Sequence, residues 1–190
     1  MNTNIKLVGV GGQGTILATT LLSAAILDAG FDVKMSEIHG MSQRGGSVSS
    51  EIRFGKKVYS PVIMKGNADV LVSFELMEAA RNVDYVKKDG IILVNNHKIN
   101  SMVTLNGKIP YPKGIEEDLN SRVKTYVIDA TALAIKLGNS KVMNVIMLGA
   151  LVKAMKLEHL DFEKAIRENV KEKFIDLNIT AFNVGLELIE

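Results

Sequence analysis

The chain has 190 residues, 47% of them hydrophobic and 23% charged, the balance of a globular domain long enough to bury a core. A formal net charge of +2 gives nucleic acid little electrostatic handle, and the absence of cysteine excludes thiolate-held iron–sulfur clusters, a catalytic thiol and disulfides within this sequence. No apolar run reaches the roughly 18 residues of a bilayer span, and the N-terminus reads as a core strand instead of a signal peptide, so the expectation is one cytoplasmic domain over residues 1–190 with no membrane partner.

The first element is a short apolar strand, Ile5 to Val8. It runs into a glycine-rich turn, Gly9-Val10-Gly11-Gly12-Gln13-Gly14, and then into an apolar helix, Thr15 to Ala29. Strand, glycine loop and helix in that order open a doubly wound α/β fold. Glycines permit the tight turn and a close backbone approach, and the helix's first N–H groups point outward with the positive end of its dipole behind them. Gly9, Gly11, Gly12, Gln13 and Gly14 therefore form a docking loop for something anionic or carbonyl-like. The spacing fits Gly-x-Gly-x-x-Gly, and the acid that would hold a ribose about 20 residues on is Asp32 or Glu37. Both also read as ordinary residues, a turn acid beside Gly30 and a strand-end charge.

A second strand follows, Asp32 to Ser36. Next comes a loop from Glu37 to Ser47 with neither helical nor strand period, rich in polar groups set between glycines. Ser47 to Phe54 alternates as a strand, Gly55-Lys56 turns, and Lys57 to Met64 returns, which predicts an antiparallel hairpin and hence a mixed sheet. Val70 to Phe74 and Ile91 to Asn95 read as buried parallel strands, with a helix from Glu75 to Val86 and a turn at Asp89-Gly90 between them. Residues 96–122 read as irregular, with a small hairpin closed by Asn106-Gly107 and a short helix from Glu116 to Ser121. Lys124 to Ile128 is the last strand. Beyond it the chain is helical: a helix to Leu137 capped by Asp129 or Thr131, an apolar one over Lys141 to Lys156, a third from Asp161 to about Lys173, and a fourth from Asn178. The predicted class is thus α/β, a three-layer Rossmann-like fold with a mixed sheet and a helical C-terminal third.

No self-sufficient catalytic set accompanies this scaffold. His39, His97 and His159 do not fall at metal-ligand spacing, the glycine turn has Gln13 and not serine at its centre, and no lysine stands in a phosphate-loop pattern. His97 and His159 read as solvated surface residues.

The glycine turn, together with the loop His39-Gly40-Met41-Ser42-Gln43-Arg44-Gly45-Gly46, resembles the gamma-type domain of the 2-oxoacid:ferredoxin oxidoreductases. Val58 to Pro61, Ala68 to Leu71 and Asn144 to Ala150 match as well, and the likeness runs from Ile5 to about Leu188. Members acting on pyruvate or 2-oxoglutarate usually carry a Tyr-Gly-Pro-Glu-x-Arg-Gly-Gly type loop. The loop found here favours the branch acting on arylpyruvates, and Arg44, Gly45 and Gly46 are common to both.

The resemblance implies a division of labour. A larger partner subunit would bind thiamine diphosphate, magnesium and [4Fe-4S] clusters. The two together would oxidatively decarboxylate indolepyruvate or another arylpyruvate, with coenzyme A as co-substrate, to an aryl-acetyl-CoA, and reduce ferredoxin. This chain alone would bind none of these cofactors and be inactive. The loop His39 to Gly46 is expected at the partner interface near the thiamine site, with Arg44 and His39 as its candidate functional residues. Alternatively Arg44 pairs with Glu37 or Glu51 and only stiffens the loop. Two further readings stay open: a free-standing dinucleotide-binding oxidoreductase or sensor domain, and the gamma subunit for another 2-oxoacid.

Overall fold

The computed structural model describes residues 2–40, 45–107 and 109–189. Six strands form one sheet: β1 (Thr3–Val10), β2 (Asp32–His39), β3 (Ser47–Gly55), β4 (Ala68–Ser73), β5 (Val86–Asn95) and β6 (Lys124–Ile128). Their spatial order is β2-β3-β1-β4-β5-β6. β3 runs antiparallel to both of its neighbours, and the pairs β1–β4, β4–β5 and β5–β6 are parallel.

The helices are α1 (Thr15–Asp28), α2 (Leu76–Asn82), α3 (Met102–Leu105), α4 (Ile115–Arg122), α5 (Ala130–Lys136), α6 (Met143–Ala154), α7 (Phe162–Asn169) and α8 (Ile175–Leu186). Strand residues alternate between two apolar cores. Ile5, Leu7, Val70 and Val72 face α1, α6, α7 and α8, whereas Val8, Leu71 and Val94 face α2 and α4. The result is the expected three-layer mixed α/β architecture. α1 has no acid in its first turn and no base in its last, and buries Ala18, Leu21, Leu22, Ala25 and Ile26.

Several expectations need correction. β2 continues through Glu37 to His39, so the polar loop is shorter than its lack of period implied. The hairpin partner of β3 is β2, with Glu37 opposite Ser50 and His39 opposite Val48. Residues 57–64 form no strand, because side chains and not a neighbouring strand take up their backbone groups. Arg53 donates to the carbonyls of Ser60 and Val62, Glu51 accepts from the Ile63 N–H, Asp32 accepts from the Val58 N–H, and Pro61 has no N–H to offer. Asp89 and Gly90 lie inside β5 instead of forming a turn; a Cβ on Gly90 would come within 3.0 Å of the Asp69 carbonyl at the irregular register between Ala68 and Val70.

Met102 to Leu105 is one helical turn, not a strand. α7 stops at Asn169, and a 3₁₀ turn at Glu172–Phe174 leads into α8 three residues before the expected Asn178. Asp129 and Asp161 cap their helices by accepting from the N–H groups of Ala132 and Lys164.

Candidate functional site

Inserting antiparallel β3 between β1 and β2 leaves the latter two parallel. Their carboxyl ends therefore emerge side by side, and so do the two loops that follow them. A hydrogen bond joins the loops directly, Gly11 N–H to the Gly46 carbonyl at 2.9 Å. The polar loop is closed at its base by Gly40 N–H to the Ser47 carbonyl, also 2.9 Å. Met41, Ser42, Gln43 and Arg44 lie outside the described residues. Gly45 and Gly46 end the loop, Gly45 at φ 76°.

The glycine loop is shaped from within. Gly14 occupies the residue before α1 at φ 80°, where a side chain is both strained and blocked: a Cβ would stand 2.4 Å from the Asn144 amide nitrogen. Asn144, at the start of α6, donates instead to the Gly14 carbonyl at 2.9 Å. Gln13 turns inward. Its Oε1 accepts from the Val10 N–H at 2.7 Å, and its Nε2 donates to the Phe74 carbonyl at 2.8 Å. Asn95 donates to the same carbonyl at 3.1 Å. Between β1 and β4 the strand order reverses, which is where open α/β sheets place their ligands. Here that slot is bridged by the Gln13 amide.

The two acids considered for ribose binding are elsewhere or otherwise occupied. Asp32 begins β2, at the amino edge of the sheet, and its carboxyl is held below the usual range by a hydrogen bond from the Lys34 ammonium and then by the Val58 N–H. Glu37 faces α1 with Oε2 3.6 Å from His39 Nε2, while its buried Oε1 has no partner among the described residues; nor has the Ser50 hydroxyl opposite it. Glu51 is committed to Lys6 at 2.7 Å and to the Ile63 N–H, so it is not a free partner for the loop.

Sequence reasoning missed the carboxylates behind the loops. Glu75, 1% exposed, precedes α2 and accepts from the N–H groups of Glu78 and Ile99 and from the Tyr111 hydroxyl. Burial and that carboxylate push the Tyr111 phenol far above its ordinary range. Glu78, buried, accepts from the Ser47 hydroxyl at 2.6 Å and from Arg81 at 3.1 Å, tying the outgoing end of the polar loop to α2. The only cue in sequence was an acid at each end of the first turn of a helix.

Two clefts flank the glycine loop. One, of about 420 Å³, is bounded by Gly11, Gly12, Ile16, His39, Gly40 and Val48. The other, of about 560 Å³, is bounded by Gln13, Gly14, His97, Thr131, Lys141 and Asn144. His39 is half exposed over the first. His97, expected on the open surface, is half-buried at the second, where its carbonyl accepts from the Leu76 N–H. Among the described residues the site thus offers backbone amides, imidazoles and glycine surfaces, with no assembled nucleophile and base. Among the described residues no group of three or more His, Asp or Glu side chains could hold a metal ion, and no helix is long and apolar enough to cross a membrane.

This fold is shared with the keto/oxoacid ferredoxin oxidoreductase gamma subunit of Geobacter sulfurreducens, with a TM-score of 0.72 at 25% identity, covering 98% of this chain and 97% of that one. The chain belongs to the pyruvate ferredoxin/flavodoxin oxidoreductase family, whose model matches residues 4–188. It is 40% identical to the indolepyruvate oxidoreductase subunit IorB of Thermococcus kodakarensis and 39% identical to that of Pyrococcus horikoshii, each match covering 97% of this chain and 94% of the relative. The pyruvate oxidoreductase subunit PORC of Thermotoga maritima has the same fold, with a TM-score of 0.73 at 26% identity, covering 98% of this chain and 96% of that one.

Proposed function

We propose that this chain is the cofactor-free subunit of an indolepyruvate:ferredoxin oxidoreductase. It works with a larger subunit that carries thiamine diphosphate, magnesium and [4Fe-4S] clusters. The assembled enzyme converts an arylpyruvate and coenzyme A to aryl-acetyl-CoA and reduces ferredoxin. The observation that carries this reading is the gap in identity: 39–40% to two indolepyruvate subunits against 26% to a pyruvate subunit, over nearly the whole chain in each case. The lack of any cysteine agrees with clusters held elsewhere.

In this reading the paired loops are the docking edge. The chain's own contribution is to present Gly11, Gly12, Gly40 and Gly46 as close-approach backbone, to set His39 beside them, and to fix the loop base through Glu78 and Ser47. Arg44, between Gln43 and Gly45, brings a planar fork of donors to a carboxylate or phosphate across the interface. The inward Gln13 amide, bonded to Val10 and Phe74 across the switch point of the sheet, counts against the free-standing dinucleotide reading.

Co-expression with the large subunit tests the proposal. The chain alone should give no dye reduction with indolepyruvate, coenzyme A and thiamine diphosphate, and the complex should prefer indolepyruvate over pyruvate and 2-oxoglutarate. Arg44→Ala and Arg44→Lys should both lower turnover of the complex while leaving the chain's melting temperature unchanged. Turnover by the isolated chain, or wild-type rates in both Arg44 variants, would overturn the reading at the level of subunit and loop respectively.

A further inference from the structure

The end of β2 sets an acid and an imidazole at the mouth of the first cleft. Glu37 and His39 alternate with Ile38 on one strand, so both side chains point to the α1 side of the sheet. Val33 and Met35 of the same series pack there, with the Met35 sulfur 3.9 Å from the Ser23 hydroxyl of α1. His39 bounds the cleft of about 420 Å³ together with Gly11, Gly12 and Gly40. Glu37 stands behind it.

The two elements packed on β2 bring no other titratable group to this side beside the cleft, among the described residues. α1 carries no charge from Thr15 to Leu27. β3 contributes Val48, Ser50 and Ile52, and its charged Glu51 lies on the opposite side of the sheet, paired with Lys6. The Glu37 carboxylate is left with two polar neighbours. Oε2 is 3.6 Å from His39 Nε2. Oε1 is buried without a partner, and so is the hydroxyl of Ser50, directly opposite Glu37 in the β2–β3 register. A carboxylate oxygen buried without a donor is costly, and a cost kept beside a cleft calls for a reason other than stability.

We propose that Glu37 and His39 are a proton-transfer pair for the first cleft, with His39 as the base and Glu37 and Ser50 as positioning residues. Glu37 accepts from Nε2–H, which fixes the imidazole tautomer and leaves Nδ1 as the acceptor. The present 3.6 Å separation shortens when the cleft is filled, as such contacts do on substrate binding. The group served is a thiol. That assignment rests on the subunit reading, in which coenzyme A is the co-substrate and its sulfur must lose a proton before attacking an acyl carbon. The S–H bond breaks, an Nδ1–H bond forms, and the electron pair stays on sulfur. The imidazolium lies against the Glu37 carboxylate until it passes its proton to water. Nothing is oxidised or reduced in this step.

Two measurements test the pair. On the chain alone, imidazole NMR reads the tautomer of neutral His39, assigned by loss of its signals in His39→Gln. The Nε2–H form is expected in wild type and a mixture of both forms in Glu37→Ala. The melting temperature of Glu37→Ala should not fall, because the substitution also removes a buried oxygen that has no donor. In the assembled complex, His39→Gln and Glu37→Gln should each lower kcat about a hundredfold, with KM for indolepyruvate unchanged. The double variant should be no slower than His39→Gln. A thiol ionises unaided with an ordinary pKa of about 8.5, so the deficit should shrink as pH rises toward about 9. A wild-type His39 protonated on Nδ1 overturns the proposal. So does an active complex in which Glu37→Gln keeps the wild-type kcat and pH profile. A complex inactive on indolepyruvate counts against the subunit reading instead, and the tautomer alone then upholds or overturns the pair.

Discussion

Gln13 shows how little of a residue's role its position reveals. Its place at the centre of a glycine turn marked it as unusual, but not which way it points, because its partner carbonyl on Phe74 is 61 residues away. Gln13→Ala leaves the Val10 N–H without an acceptor, whereas Phe74 keeps Asn95. The expected loss is about 1–3 kcal/mol of stability, read as a lower denaturation midpoint at unchanged m-value. Gln13→Glu keeps the acceptor and sets a carboxylate against a carbonyl, so it should destabilise at least as much. Neither variant nor wild type should bind NAD with a low-micromolar Kd in calorimetry. Asp32, read as a possible ribose ligand, serves stability instead. Its folded pKa lies below the ordinary 3.8, so its contribution is fully present above that value and is lost as pH falls through the lower folded value. The difference in melting temperature between wild type and Asp32→Asn should therefore shrink on acidification below pH 3.8.

Elements were easier to read than their pairings. The alternation of β3 was plain in sequence, as were the apolar runs of β4 and β5 and the cap Asp161, whereas Asp129 shared its candidacy with Thr131. The partner of β3 was not, because Gly55-Lys56 is a good turn and the strand formers Val58, Tyr59, Val62 and Ile63 follow it directly. What decides the matter is long-range: Lys6 and Glu51 form a buried ion pair at 2.7 Å, the second Glu51 oxygen anchors Ile63, and Lys6 also sits 4.2 Å from the centre of the Tyr85 ring. The helical third hides a similar constraint. Gly149 of α6 and Gly185 of α8 face each other so closely that a Cβ on Gly149 would lie 2.2 Å from the Phe182 carbonyl, and one on Gly185 2.1 Å from that of Ile146. Backbone cannot yield as a side-chain tip can. Gly149→Ala should force the helices apart and cost about 3 kcal/mol, the upper end for overpacking, with a fall in melting temperature of several degrees by calorimetry.

At the scale of the molecule, one antiparallel strand sets the layout. β3 returns the chain past β1, so that a loop following the outermost strand ends up beside the loop following a central one. That neighbourhood follows because β1 and β2 point the same way and each loop leaves a carboxyl end. The buried Glu75 and Glu78 behind it were illegible, since Tyr111 and Ser47 reach them from 36 and 31 residues away. The closure of the polar loop by Gly40 and Ser47 has a further effect. Both posts are held by main-chain bonding, Gly40 by Ser47 and the outgoing Gly46 by Gly11, and neither bond involves the side chains between them. The intervening stretch is therefore an interchangeable cassette. Substitution within residues 41–44 can change the loop's chemistry without touching the bonds that hold the sheet's register, so the fold is insulated from that chemistry.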